Sequence, residues 1–279
     1  MNSTILSFKY LGTAAAEGWP GVFCNCKSCA DAQAAGGKNL RLRSSALING
    51  ELLCDLSPDL ATYKMRYNID MQALKAIVIT HTHADHFNPQ ILSYNYKSFS
   101  ANPVNLNIYC SGFARQKLLN PTSYENPAAT NNLNITEVKP FTTYNTEGDY
   151  KLTPLPANHS APESYVYIIE KDGIKVFYCT DTYILPPETM EYLQGQALNM
   201  VSFDATMGLR REGYKRHFSF YDIIDTQRQL INSGALTAQS VVVATHFSHF
   251  IALNHNEIEK FFRPYGICAA YDGMELMIK

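Results

Sequence analysis

Four side chains able to bind a metal ion lie within six residues of one another, in Ile77-Val-Ile-Thr-His81-Thr-His83-Ala-Asp85-His86. An apolar run, Ala76 to Thr80, leads into them and reads as a buried strand. A spacing of two puts His81 and His83 on the same side of an extended backbone. Asp85 and His86 come as the chain turns toward the next element, so they can face a second ion nearby. Imidazole plus carboxylate suits zinc, manganese or iron. Unpaired, such groups would be costly to bury at the end of an apolar strand, and a metal centre is the reading that follows.

A second cluster precedes the first hairpin, in Phe23-Cys24-Asn-Cys26-Lys-Ser-Cys29. In a reducing compartment three crowded thiols suggest metal binding more than disulfides. A closed structural zinc needs four tetrahedral ligands, and His249, three residues past His246 in Thr245-His-Phe-Ser-His249, is a candidate for the fourth. Cys54, Cys110, Cys179 and Cys268 lie singly in strand-like runs and read as small buried hydrophobes.

These residues must be positioned by short strands and helices spread over the whole chain. Ile5 to Tyr10 reads as a strand. Ser45 to Cys54 reads as a hairpin with Asn49-Gly50 at its turn, and Tyr165 to Tyr178 as another turning at Asp172-Gly173. Val241 to Thr245 and Met274 to Ile278 are further strand candidates. Helices are expected over Pro89–Ser98, Phe113–Leu119, Glu188–Leu198, Ser219–Ser233 and Asn254–Phe262. Ser219 is a natural N-cap, and Asn254 with Glu257 has capping-box spacing. The stretch from Tyr94 to Asn145, rich in Asn, Tyr, Pro and Thr, reads as loops around weak strands. It is either a wall or lid over a site, or a surface insertion.

The 279 residues are read as one domain, 1–279, and the hydrophobic content of 46% supplies a substantial core. A net charge of −2 gives no general basic field for a long polyanion, so nucleic acid is not the expected partner. No apolar run is long enough to span a membrane. The N-terminus lacks the basic start and apolar core of a signal peptide, so a cytoplasmic protein is expected.

His-x-His-x-Asp-His after a hydrophobic strand resembles the signature of the metallo-β-lactamase superfamily. The resemblance implies an α+β fold, a four-layer αββα sandwich with metals at one edge of its two sheets. It also implies further ligands in order: His159 after Leu155-Pro-Ala-Asn, Asp181 ending Val176-Phe-Tyr-Cys-Thr, and His246 ending Val241-Val-Val-Ala-Thr. His81, His83 and His159 would hold one ion, Asp85, His86 and His246 the other, and Asp181 would bridge them. Two divalent ions, zinc or manganese, would make hydroxide available near neutral pH and neutralise charge on a phosphoryl or acyl oxygen. On this resemblance Asp85 would have a catalytic as well as a ligating role.

The cysteine loop shortly after Leu11-Gly-Thr13, the intact histidine motif and the late His-x-x-His resemble one branch, the phosphoribosyl 1,2-cyclic phosphate phosphodiesterases (PhnP-like). Tyr271-Asp-Gly-Met-Glu275 fits it as well. In that branch Cys24, Cys26, Cys29 and His249 would hold one structural zinc. A related branch of pyrroloquinoline quinone synthesis shares a similar cysteine loop but usually lacks the full histidine motif. The PhnP-like branch also carries a His before a long helix, matched by His217 in Gly213-Tyr-Lys-Arg-His217-Phe-Ser, placed to protonate a leaving oxygen. Arg210, Arg211, Lys215 and Arg216 surround it as a local basic patch able to hold phosphate.

The resulting expectation is a dinuclear hydrolase that opens a small cyclic phosphate ester, with a homodimer compatible with the superfamily. The same centre would serve a lactone, thioester or RNA end. A metal-binding accessory protein without catalysis is the third reading.

Overall fold

The computed structural model describes residues 5–119, 132–211 and 215–279. The first part of the chain supplies β1 (Leu6–Gly12), α1 (Lys27–Ala35), β2 (Ser45–Ile48), β3 (Leu52–Cys54) and α2 (Leu60–Tyr67). After these come β4 (Ala76–Val78), β5 (Leu106–Cys110), α3 (Gly112–Leu119) and β6 (Leu133–Glu137). The second part supplies β7 (Tyr144–Asn145), β8 (Lys151–Pro156), β9 (Tyr165–Lys171), β10 (Ile174–Cys179), α4 (Pro187–Leu193) and β11 (Leu198–Asp204). It ends with α5 (Phe220–Asn232), β12 (Leu236–Thr245), α6 (His255–Phe262), β13 (Ile267–Ala269) and β14 (Glu275–Ile278).

The strands form two seven-stranded sheets, in the orders β14-β1-β2-β3-β4-β5-β6 and β13-β12-β11-β10-β9-β8-β7. Side chains alternate across each strand, and that alternation sorts them into layers. Phe8, Tyr10, Cys54, Val78, Tyr167, Ile169, Val176, Tyr178 and Val243 meet between the sheets. Phe177, Phe203, Val242 and Ala244 face the other way, toward Phe220, Ile223 and Ile258 of α5 and α6. On the far side Leu53, Ile77 and Ile108 pack with Tyr63, Ala114 and Leu118 of α2 and α3. The result is the αββα sandwich that the resemblance implies.

Both expected hairpins form. Asn49 and Gly50 take positive φ (51° and 71°), as do Asp172 and Gly173 (52° and 83°), the backbone that two-residue hairpin turns require. The capping boxes are present too: Ser219 with Asp222 at α5, and Asn254 with Glu257 at α6.

Three expectations are corrected. The segment from Pro89 is a 3₁₀ run ending at Asn95 rather than a helix to Ser98. The Asn95 amide is pulled aside, donating to Val104 O (2.7 Å) and accepting from Val104 N (2.8 Å), so it competes with continued helix. The helix expected over Glu188–Leu198 is α4, which stops at Leu193. Gly195 and Ala197 then turn through positive φ, and Leu198 opens β11. Among the single cysteines, Cys268 is exposed on the short edge strand β13, whereas Cys54, Cys110 and Cys179 are buried. Within Tyr94–Asn145, the described residues supply β5, α3 and β6; β5 pairs parallel with β4 and β6 parallel with β5, which finishes the first sheet, and residues 120–131 of that stretch lie outside the described residues.

A buried polar knot closes the end of the sandwich near the C-terminus. Arg41 Nη1 donates to Thr13 Oγ1 and Ala270 O (both 2.7 Å), and its Nη2 donates to His255 Nδ1 (2.9 Å). His255 Nε2 donates to Glu259 Oε1 (2.9 Å). Burial, reinforced by the Arg41 charge, lowers the His255 pKa to about 4. The native chain therefore keeps His255 neutral at pH values where an unfolded histidine, with pKa near ~6.5, takes a proton. Stability should thus fall on acidification between about pH 6.5 and 4. Chemical denaturation at pH 7 and pH 5 is expected to show a drop about 1–2 kcal/mol larger in the wild type than in His255→Gln. Equal pH dependence would remove His255 as a cause.

Candidate metal centre

Six strands end at one rim of the sandwich, and each delivers a polar side chain there. β3 and β4 run parallel and lead to Asp55 and to the His81–His86 loop. β10, β11 and β12 are parallel neighbours and lead to Asp181, Asp204 and His246. β8, antiparallel to β9 as β9 is to β10, leads to His159. Asp55, Asp181 and His246 take left-handed backbone at φ 69°, 52° and 59°, an uncommon conformation for side chains of this kind. It turns the chain sharply off the strand and aims these side chains across the rim. Long-range backbone bonds hold the turns, including Asp55 N to Val78 O (2.8 Å) and Phe247 N to Thr13 O (2.8 Å).

Every residue expected to ligate a catalytic ion is brought to this rim. His81, His83 and His159 present ring nitrogens within 4.8 Å of one another, and Asp85, His86 and His246 form a second such group. Asp181 lies between them. Its Oδ2 is 2.8 Å from His86 Nε2 and 2.9 Å from His246 Nε2, while its Oδ1 is 3.7 Å from His159 Nε2.

Hydrogen bonds on the outer side of three of the rings, those of His86, His246 and His159, fix which nitrogen faces inward. His86 Nδ1 donates to Asp55 Oδ2 (2.7 Å), and Asp55 is itself held by Thr80 N and Oγ1 (2.8 and 2.9 Å). His246 Nδ1 meets Thr206 Oγ1 (2.7 Å), which donates to Asp204 Oδ1 (2.7 Å). His159 Nδ1 donates to Arg216 O (3.3 Å). Such outer-shell partners orient metal-binding imidazoles and set their tautomers.

The donor set fits a divalent cation. His81 Nε2 is buried with no hydrogen-bond partner, which is costly unless an electron-pair acceptor faces it. His83 Nδ1 and His159 Nε2 are 3.0 Å apart, and His86 Nε2 and His246 Nε2 are 3.2 Å apart. In both groups, close approaches of this kind bring ring nitrogens to face one another, the arrangement that a shared cation would occupy. Burial pushes His81 far below the usual imidazole range and lowers His83 and His159, leaving neutral ligands. Burial acts in the same direction on His86 and His246, but the Asp181 and Asp85 charges outweigh it. His86 is raised well above its ordinary value, and His246 is raised to about 10. A cation entering the second group must therefore displace protons.

The cysteine cluster also assembles. Cys24, Cys26, Cys29 and His249 offer ligand atoms within 4.8 Å of one another, and His249 Nδ1 is 3.5 Å from Cys26 Sγ and 3.9 Å from Cys24 Sγ. The backbone N–H of Cys29, together with the surrounding thiols and imidazole, brings the Cys26 thiol down to about 6, favouring the thiolate that binds metal.

His217 joins the rim from the other side. Its Nδ1 donates to Asp204 Oδ2 (2.6 Å) and lies 3.7 Å from Asp181 Oδ1. Its ring stacks on His246 at a centroid distance of 5.7 Å and meets His159 edge-on at 5.0 Å.

The basic loop does not converge in the same way. Arg211 Nη2 pairs with Asp225 of α5 (3.3 Å), and its guanidinium lies 4.6 Å over the Tyr221 ring. Arg210 donates to Phe250 O (2.6 Å). Lys215 and Arg216 are exposed, and Gly213 and Tyr214 lie outside the described residues. Sequence reasoning missed Asp55, Thr80, Asp204 and Thr206. The available signal was an acid directly after an apolar strand, as in Leu53-Cys54-Asp55 and Ser202-Phe203-Asp204, the same pattern that marks Asp181.

A family model described as a beta-lactamase superfamily domain matches residues 51–247, and the chain belongs to this superfamily, whose members are metal-dependent hydrolases. Among solved structures it is similar to a diphosphatase of the PhnP family, at 23% identity and a TM-score of 0.76, covering 98% of this chain and 97% of that one. It is similar to Zn²⁺-bound PqqB from Methylobacterium extorquens, at 17% identity and a TM-score of 0.77, covering 97% and 99%. Short-form human tRNase Z follows the same fold, at 18% identity and a TM-score of 0.62, covering 98% and 99%. Among curated proteins none matches the chain. Among the described residues no helix is long and apolar enough to cross a membrane.

If Asp55 orients His86, Asp55→Asn is expected to weaken metal retention about 10–100-fold with the fold intact. Chelator competition followed by circular dichroism checks this, and unchanged retention would reduce Asp55 to a packing role.

Proposed function

We propose that the protein is a phosphodiesterase that opens a small, cyclic phosphate ester. Zinc or manganese would occupy both histidine–aspartate groups, and zinc would occupy the Cys24, Cys26, Cys29 and His249 cluster. The observation that carries the reading is the Asp204–His217 pair set against Asp181 and His159. Two divalent ions bound at the rim supply an activated water near neutral pH and neutralise charge on the phosphoryl oxygens.

The residues of the chain do the rest. Asp181 offers one carboxylate oxygen to each ligand group and so fixes their separation. Asp85, whose charge is kept far below the usual carboxylate range by His86 and His246 against the effect of burial, stays an anion throughout. Asp204 is immobilised by Thr206 N and Oγ1 and by Thr182 N. It raises the pKa of His217 against the opposing effect of burial. An imidazolium held on the rim in this way can give its proton to the departing sugar oxygen, a step that a poor alkoxide leaving group requires. Fold alone does not select the substrate; a leaving oxygen in need of a proton is what the pair is suited to serve.

Leaving-group dependence tests this. His217→Gln is expected to retain wild-type metal content and to lose about 10²–10⁴-fold in turnover on a ribose cyclic phosphate. On bis-p-nitrophenyl phosphate, whose leaving group departs without a proton, the loss should be roughly tenfold or less. Equal losses on both substrates would remove His217 as the acid. A wild-type protein that cleaves lactones and no phosphodiester would overturn the reading itself.

A further inference from the structure

The mouth of the site has a wall that the reaction as described does not use. Val22 and Phe23 of the cysteine loop are 66% and 103% exposed, and Phe250, next to His249, is 63% exposed. Single exposed apolar side chains are ordinary, but these three line one cavity of about 550 Å³ together with Glu17, Arg43 and His249. That size lies within the ~300–1,000 Å³ of small-molecule sites. Arg43 also lines the neighbouring cavity, with His83 and Asp85. The apolar wall therefore leads, through Arg43, to the metal centre.

The backbone on both sides of the wall is fixed. The thiol cluster anchors Phe23 through Cys24, whose N–H donates to Gly21 O (3.0 Å). Phe250 N donates to Ser248 Oγ (3.3 Å), and its carbonyl accepts from Arg210. Arg43 is held by Nε to Ala16 O (2.9 Å) and Nη1 to Asp59 Oδ1 (3.0 Å), neither of which uses Nη2. The acid in the lining, Glu17, accepts from Ser248 Oγ (2.5 Å) and sits 3.7 Å from His249 Nε2, so its charge is directed at the cysteine cluster rather than at Arg43.

We propose that this wall is a subsite for a planar nucleobase, with Arg43 on the phosphate between base and metal centre, and that the substrate is a nucleotide-type phosphate ester. Exposed aromatic faces carried on a fixed backbone suit a flat π-system, and base stacking is worth roughly 5–150-fold in affinity per aromatic by alanine substitution. A guanidinium oriented by two fixed partners suits an anionic phosphate oxygen. A lipid tail would favour an enclosed apolar tunnel, whereas this cavity carries charge at Arg43 and Glu17. The inference rests on the phosphodiesterase reading for its reaction but not for its binding.

The test uses metal-loaded protein and two esters with the same leaving group, the p-nitrophenyl esters of thymidine 5′-phosphate and of methyl phosphate. Wild type should prefer the thymidine ester in kcat/KM by about tenfold or more, and Phe23→Ala and Phe250→Ala should each cut that preference at least about fivefold. Phe99→Ala, at an exposed aromatic that lines neither of these two cavities, should leave it unchanged. No preference in wild type, or a preference that survives both substitutions, overturns the subsite. If wild type cleaves neither ester, the phosphodiesterase reading fails separately. Calorimetric binding of adenosine 5′-monophosphate then decides: weaker binding in both variants supports the subsite, and no binding or equal binding overturns it.

Discussion

The rest of the molecule is organised around one constraint, the burial of several imidazoles and carboxylates at a single rim. His81, His86, His246, Asp85 and Asp181 are almost fully removed from water, and His81 Nε2 has no partner at all. Such a group is unfavourable unless charge and lone pairs are matched. Each outer-side hydrogen bond sends a proton away from the centre and leaves a nitrogen lone pair or a carboxylate oxygen facing in. Parallel strands in both sheets are the economical way to deliver so many donors to one place, because their ends lie side by side. The left-handed turns at Asp55, Asp181 and His246 complete the delivery.

The cysteine cluster is coupled to the same rim. His246 and His249 lie on one short turn after β12, so a metal bound at the cysteines would brace the strand end that carries His246. Backbone bonds from Phe247 N to Thr13 O and from Ala15 N to Phe247 O tie this turn to the end of β1. Below it, Asp272 accepts from Leu42 N (2.6 Å) and Thr13 Oγ1 (2.7 Å). That contact accounts for the Tyr271-Asp-Gly-Met-Glu275 stretch noted in the sequence. Its role is to join the C-terminal turn to the segments leading out of β1 and into β2.

The site was more legible in the sequence than the fold around it. The His81–His86 cluster was legible from side-chain chemistry and its place after an apolar strand, whereas His159, Asp181 and His246 were expected only through the resemblance to the superfamily. Hairpins with Asn-Gly and Asp-Gly turns and helices with capping boxes were equally plain, because local backbone demands fix those residues. Tertiary context decided the elements that sequence missed. β5 is held only by its parallel neighbours β4 and β6, and β11 has polar residues within a strand buried on both faces. Pro89–Asn95 has a helical start but loses its continuation to the bond between Asn95 and Val104. The ion pair of Arg211 was not legible either, because a cluster of positive residues in sequence says nothing of the acids nearby in space, and Asp225 pairs with Arg211.

The central claim is that the rim holds two metal ions and the cysteine cluster a third. Metal content per chain, measured by plasma mass spectrometry on metal-replete wild type and on Cys24→Ala/Cys26→Ala, tests it most directly. Close to three ions in wild type and one fewer in the variant is the predicted result. One ion or none in wild type would contradict it and leave the buried histidines without the partner that their geometry requires.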